Sequence, residues 1–244
     1  MTDGGADRCA GQDNSLLPFY LVVDVSVSMA MDGKLEAANE IVPALVDALA
    51  RHPVVAARVR FGLIDFSDHA EVRLPLGDLL APGLVAPVLT VRGGTCYESA
   101  FTATRDEIES DMARFAASGE TSHRPTVWFV SDGRPTDSRS AWQAAFAELT
   151  SSSARPSVVA CGVDEADPRI IRSLAHPATG SGRMASYLMV PGSDPARTIA
   201  GIAQVLIASV VRSGYRAVGD AGPVLPDGPD LPPGVQRLDP TGPG

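Results

Sequence analysis

Phe19-Tyr20-Leu21-Val22-Val23, running into Asp24-Val25-Ser26-Val27-Ser28-Met29, is the stretch that decides the fold. Five apolar residues in succession suit a strand covered on both faces, as in a parallel sheet. A carboxylate and two hydroxyls at steps of two then follow, where such a strand would open into a loop. The same grammar recurs downstream. Val59–Phe66 (VRFGLIDF) reads as a strand ending near Asp65 and Asp68. Thr126-Val127-Trp128-Phe129-Val130 reads as a strand ending in Ser131-Asp132-Gly133.

Helical patterns separate these strands. Leu35, Ala38, Val42, Leu45 and Leu49 form a stripe at steps of three and four, with Pro43 expected to kink the helix. Tyr97, Phe101, Thr104, Ile108, Met112 and Phe115 mark a second, longer helix. Further helices are expected from Arg139 to Leu149 (capped by Asp137 or Ser138), from Pro168 to Ala175, and from Asp194-Pro195 to Arg212. Ser157–Cys161 and Tyr187–Val190 complete the strands, and Ala70–Leu74 pairs back on its predecessor as a short hairpin. Alternation of strand and helix predicts an α/β, Rossmann-like doubly wound fold, with a mostly parallel sheet and one short antiparallel edge strand. The domain is expected over residues 17–213. Residues 1–16 and 214–244 read as disordered tails; from residue 216 the chain holds seven prolines and six glycines, a density expected to preclude helix or sheet.

Composition narrows the function. The 244 residues are 45% hydrophobic and 20% charged, a globular balance, with a formal charge of −9. So acidic a chain gains nothing from counterion release, which argues against nucleic acid as a partner. Cys9, Cys96 and Cys161 are too few and too scattered for a disulfide framework or a zinc site and read as reduced thiols. The first residues carry no basic or apolar leader, and the most apolar run, Ile199–Val211, is short of the roughly 20 residues a bilayer span needs. A cytoplasmic protein without a membrane partner is expected.

In doubly wound folds ligands gather beyond the carboxyl ends of the strands. There this sequence places Asp24, Ser26 and Ser28, then Thr95 after Gly93-Gly94, and then Asp132. Carboxylates and hydroxyls are hard oxygen ligands suited to Mg2+. Two carboxylates balance a divalent charge, and the hydroxyls add ligands without adding charge.

FYLVVDVSVSM, the later GGT and VWFVSDGRPTD together resemble the three parts of the metal-ion-dependent adhesion site (MIDAS) of von Willebrand factor A (VWA) domains. The resemblance covers residues 17 to 213. The segment SHRPTVWFVSDGRPTD resembles the bacterial TerY-like branch, associated with tellurium resistance and stress response. The family's DxSxS falls on Asp24, Ser26 and Ser28, its threonine on Thr95 and its aspartate on Asp132. The resemblance implies a bound Mg2+ or Mn2+ and a protein partner whose Asp or Glu completes the coordination shell, with no catalysis. One departure is Val27, where many members carry glycine. A β-branched residue disfavours positive φ, so a loop needing a left-handed residue there would be strained.

Taken singly, each motif has a plainer reading: Asp and Ser cap helices, and SDG is an ordinary turn. Two other functions stay open. A phosphatase-like hydrolase would use Asp24 as nucleophile, but Ser26 stands where a second carboxylate would be needed. A scaffold with a non-binding site is the other. Asp65 is read either as an acceptor behind the site or as an exposed strand residue, Asp137 as a helix cap, and Cys96 as a packed residue. Gly93 and Gly94 are expected to let their loop approach the metal. His52, His69, His123 and His176 are assigned to loops or surface.

Overall fold

The structure, a computed structural model, describes residues 15–177, 185–216 and 222–238. β1 (Leu17–Asp24) is the third strand of a seven-stranded sheet, with β2 (Val59–Phe66) on one side and β4 (Thr126–Ser131) on the other. Beyond β2 lies β3 (Ala70–Gly77); beyond β4 lie β5 (Ser157–Gly162), β6 (Ser186–Met189) and β7 (Val235–Leu238). The five inner strands run parallel, while β3 and β7 lie antiparallel at the two edges. This is the expected Rossmann-like α/β fold with one further antiparallel edge strand.

That extra strand is a correction. Val235–Leu238 falls inside the stretch where proline and glycine were expected to preclude a sheet. The prolines cluster before it, and Val235, Gln236, Arg237 and Leu238 offer four consecutive proline-free positions that pair with Ser186–Met189. An edge strand needs hydrogen bonds on one side only, which a short run can satisfy. The expected N-terminal tail lies, up to residue 14, outside the described residues.

β1 shows why the sheet is covered twice. Phe19, Leu21 and Val23 face one apolar cluster, and Tyr20 and Val22 face the other. The first cluster is closed by α1 (Lys34–Asn39), α2 (Ile41–Ala50), α3 (Pro53–Ala56) and α7 (Pro195–Gly214). The second is closed by α4 (Tyr97–Ser118), α5 (Arg139–Ser151) and α6 (Pro168–Ser173), with Phe66, Tyr97, Phe101 and Phe129 in mutual ring contact. Each fully buried Leu or Phe contributes about 1.5–3 kcal/mol of hydrophobic stabilisation before entropy is charged against it. α7 is long and apolar enough to pass for a membrane span, but Ile199, Ile202, Val205, Leu206 and Val210 are buried in the first cluster.

Two helices replace the single kinked one. The chain breaks at Glu40, three residues before Pro43, so Pro43 falls in the first turn of α2. In that turn a missing N–H costs nothing.

Candidate metal centre

β1 and β4 deliver the site. Val25 extends β1 by donating its N–H to Phe66 O at 2.8 Å, and the chain then bends into a short 3-10 turn, Val27–Ala30. Asp24 is fully buried. Its two oxygens accept from the Ser26 N–H at 2.8 Å and from the Ser131 hydroxyl at 2.6 Å. Burial pushes the Asp24 carboxyl up to about 6, against the downward pull of those bonds. Ser26 Oγ and Ser28 Oγ lie 3.0 Å apart, and Ser28 Oγ donates to Asp132 Oδ1 at 2.8 Å. One connected chain of oxygens therefore joins the first motif to the third.

The second motif arrives through backbone ties. Arg92 N–H donates to Val25 O at 2.7 Å and Val27 N–H to Gly93 O at 3.1 Å, pinning the 92–95 loop against the DxSxS turn. Thr95 O accepts from the Thr136 N–H at 2.9 Å and from its hydroxyl at 3.1 Å. A Cβ built on Gly133 would lie 3.6 Å from Thr95 Oγ1 and 4.0 Å from Ser28 Oγ, so both hydroxyls face the same small space. All five residues expected to hold a metal, Asp24, Ser26, Ser28, Thr95 and Asp132, thus come to one corner of the sheet's carboxyl edge. Ser28 is the half-buried member; the other four are buried.

This donor set fits a hard divalent cation: carboxylate and hydroxyl oxygens, with no sulfur or imidazole. No group of three His, Cys, Asp or Glu side chains is positioned to hold a metal among the described residues, so the fit depends on the hydroxyls.

Two residues that sequence reasoning passed over stand at the same corner. Lys34 Nζ lies 2.5 Å from Asp132 Oδ2 and 2.7 Å from Asp164 Oδ2. Burial pulls the Lys34 ammonium down, yet the bonds to Asp132 and Asp164 outweigh it and hold the ammonium above its ordinary range. A lysine is ordinarily a solvated surface residue, so its place beside the Leu35 stripe drew no notice. Asp164 sits in a turn after β5. The signal available was position: it follows the end of a strand, as Asp24 and Asp132 do.

Other expectations resolve around the site. Asp65 is buried rather than exposed, and its carboxylate accepts from Arg92 and pairs with Arg73 rather than standing behind one of the five donors. Asp137 is a cap, but of α4: its carboxylate accepts from Tyr97 N–H at 3.1 Å and Glu98 N–H at 2.8 Å, while Ser138 caps α5. The glycines serve a different neighbour from the one expected. A Cβ on Gly93 would lie 1.9 Å from Asp68 Oδ2, and Gly94 donates its N–H to Asp68 Oδ1 at 2.9 Å. Val27 is 63% exposed and is not among the described residues with positive φ, which are Asp32, Arg155 and Asp164 apart from glycines. The loop therefore turns without the left-handed residue that Val27 would resist.

Residues 19–134 match the family model described as von Willebrand factor type A domain. No relative was found among curated proteins. Similar solved structures include the pilus adhesin SpaC from Lactobacillus rhamnosus GG in its open conformation. It has 15% identity and a TM-score of 0.62 over 83% of this chain and 31% of the adhesin. Proximal thread matrix protein 1 from the mussel byssus, with a zinc-occupied MIDAS motif, has 16% identity and a TM-score of 0.55 over 82% of this chain and 48% of its own. An aerotolerance-related membrane protein from Bacteroides fragilis has 18% identity and a TM-score of 0.50, covering 81% of this chain and 99% of its own. The chain thus spans about a third to a half of the first two, and at these identities the likeness establishes the fold alone.

Proposed function

Because residues 19–134 match the model described as von Willebrand factor type A domain, we propose that the chain is a metal-dependent protein-interaction module. Asp24, Ser26, Ser28, Thr95 and Asp132 would hold a divalent cation, Mg2+ or Mn2+. When bound, such an ion supplies a Lewis-acidic position that takes a carboxylate from a partner's Asp or Glu. The observation that carries this reading is the convergence of those five oxygen donors, from three separate loops, on one corner. The mussel protein's zinc-occupied MIDAS motif and the adhesin function of the Lactobacillus protein lend it support.

The surroundings suit an acidic partner. Arg134, Arg139 and Arg169 border a cavity of about 390 Å³ beside the site. None of the three forms a salt bridge within the described chain. Asp137 and Asp167, which also line the cavity, spend carboxylate oxygens on backbone N–H groups at helix starts. In a chain of net charge −9, a cavity with three free guanidinium groups attracts acidic segments. A hydrolase is less well supported: Asp24 is fully buried, and Ser26 lacks the acidity for the second role. The free thiols of Cys96 and Cys161 favour a reducing, cytoplasmic setting. Placement in the TerY-like branch, with its stress and tellurium-resistance context, rests on SHRPTVWFVSDGRPTD alone.

The test has two parts. Calorimetric titration with Mg2+ and with Mn2+ is expected to show one site in the wild type and none in the Asp24→Ala, Ser26→Ala double variant. Affinity capture from the native cell is then expected to recover a partner in Mg2+ that is lost in EDTA. Equal metal binding by both proteins overturns the site assignment, and capture indifferent to EDTA overturns metal dependence.

A further inference from the structure

Lys34 is an anomaly. Its side chain is 1% exposed, and it opens α1, where the helix dipole disfavours a cation. A buried ammonium at such a position needs strong compensation. Asp132 and Asp164 provide it from different strands: the register Ser131↔Gly162 and the bond from Val163 N–H to Ser131 O at 3.0 Å bring the loop after β5 level with the loop after β4.

The two carboxylates differ in a way that matters. Asp132 is buried and also bonded to Ser28, so it belongs to the metal donors. Asp164 is 34% exposed, and its carboxylate bonds to none of Asp24, Ser26, Ser28 or Thr95 among the described residues. Its backbone holds φ at 54°, the left-handed region that non-glycine residues enter at a cost. Lys34 thus reaches one partner inside the site and a second outside it.

Building on the metal-dependent reading, we infer that Lys34 is the resident counter-charge of Asp132: it neutralises that carboxylate in the metal-free protein and withdraws to Asp164 alone when Asp132 serves a divalent cation. The charge count agrees. Asp24, Asp132 and Asp164 against Lys34 leave two negative charges, which one divalent cation cancels. Without the lysine, Asp24 and Asp132 would face each other unrelieved in a buried site whenever the metal is absent. With it, metal and ammonium compete for one carboxylate, and each weakens the other's hold by the same factor. Lys34 and Asp164 are positioning residues here: they set the affinity of the site without supplying a ligand.

The test is Mn2+ titration calorimetry on the full chain, with melting temperatures in EDTA and in Mn2+. Lys34→Met keeps the length of the side chain and removes the charge. It is expected to bind Mn2+ at least tenfold more tightly and to melt below the wild type in EDTA, recovering in Mn2+. Asp164→Asn, an exposed and conservative change, is expected to bind Mn2+ several-fold more weakly, because Lys34 then has only Asp132 to pair with. In the Lys34→Met background Asp164→Asn is expected to have no effect, since Asp164 acts through the lysine. Equal Mn2+ affinity in wild type and Lys34→Met overturns the inference and leaves the metal site standing. So does an Asp164→Asn effect that persists without the lysine. Should Lys34→Met fail to fold, unaltered affinity in Asp164→Asn alone overturns it. Absence of Mn2+ binding in every variant removes the metal reading and this inference together.

Discussion

Asp65 and Asp132 are buried carboxylates on opposite sides of the same strand: Asp65 lies on β2, level with Val23 of β1, and Asp132 follows Ser131 of β4 on the other side. Their electrostatic conditions are opposite. Asp65 alone meets two guanidinium groups, from Arg92 and Arg73, and Arg92 also pairs with Glu71. Burial still lifts its carboxyl above the ordinary value against the pull of Arg92 and Arg73, but every oxygen is engaged by a cation of the chain itself. Asp132 and Asp164 share the single ammonium of Lys34, and the Asp24 oxygens beside them are met by the Ser26 N–H and the Ser131 hydroxyl rather than by a cation. The first region is closed and serves to anchor the loop that carries Thr95. The second is short of positive charge by design of its residues, and that shortage is what makes it a seat for a cation.

The largest effect is expected where the comparison is broken outright. Asp132→Ala leaves Lys34 buried with only Asp164, and removing one partner of a buried ion pair costs about 3 kcal/mol or more. Urea unfolding in EDTA checks this, and a loss below about 1 kcal/mol would show that Asp164 suffices for the lysine. Asp65→Ala is expected to cost less, about 1–2 kcal/mol, because Arg92 and Arg73 are already partly exposed and water can take over their bonds. Its distinctive consequence is weaker Mn2+ binding through the loosened 92–95 loop; unaltered affinity would mean that the backbone ties to Val25 and Val27 hold the loop unaided. Asp137→Ala removes the acceptor for the Tyr97 and Glu98 N–H groups and is expected to cost about 1 kcal/mol, as other helix caps do. Guanidinium unfolding measures it, and Ser138→Ala serves as the control at the start of α5.

The sequence made the strands and donors legible for one reason: both are local. Five apolar residues before Asp24, and four before Ser131-Asp132, announce a buried parallel strand, and the donors follow at its end. Lys34 was hidden because its burial depends on two carboxylates about 100 and 130 residues downstream, a fact of strand order that no window of sequence contains. Asp137 was read as a cap but given to the nearer helix, α5, since the start of α4 lies 40 residues before it. The β7 strand was obscured for a different reason. Proline density was averaged over the whole stretch from residue 216, although four residues without proline are enough for an edge strand. The helix break at Glu40 was placed at Pro43 because the ring's effect is felt one turn upstream, at the carbonyl it leaves without a donor.

The smallest expected effect bears on Val27, which departs from the glycine of the motif that this loop resembles. Val27 stands where glycine is common, which would matter if the loop needed positive φ there. In this fold Val27 begins a 3-10 turn, projects outward at 63% exposure and gives its N–H to Gly93 O at 3.1 Å. Glycine keeps that N–H and gains only freedom in the unfolded chain, which lowers stability by about 0.5–1 kcal/mol. Val27→Gly is therefore expected to melt slightly earlier and to bind Mn2+ within twofold of the wild type. A marked gain in affinity would show that the β-branched side chain holds the Ser26–Ser28 turn away from its best coordinating shape, and would locate a cost in the loop that the backbone angles do not reveal.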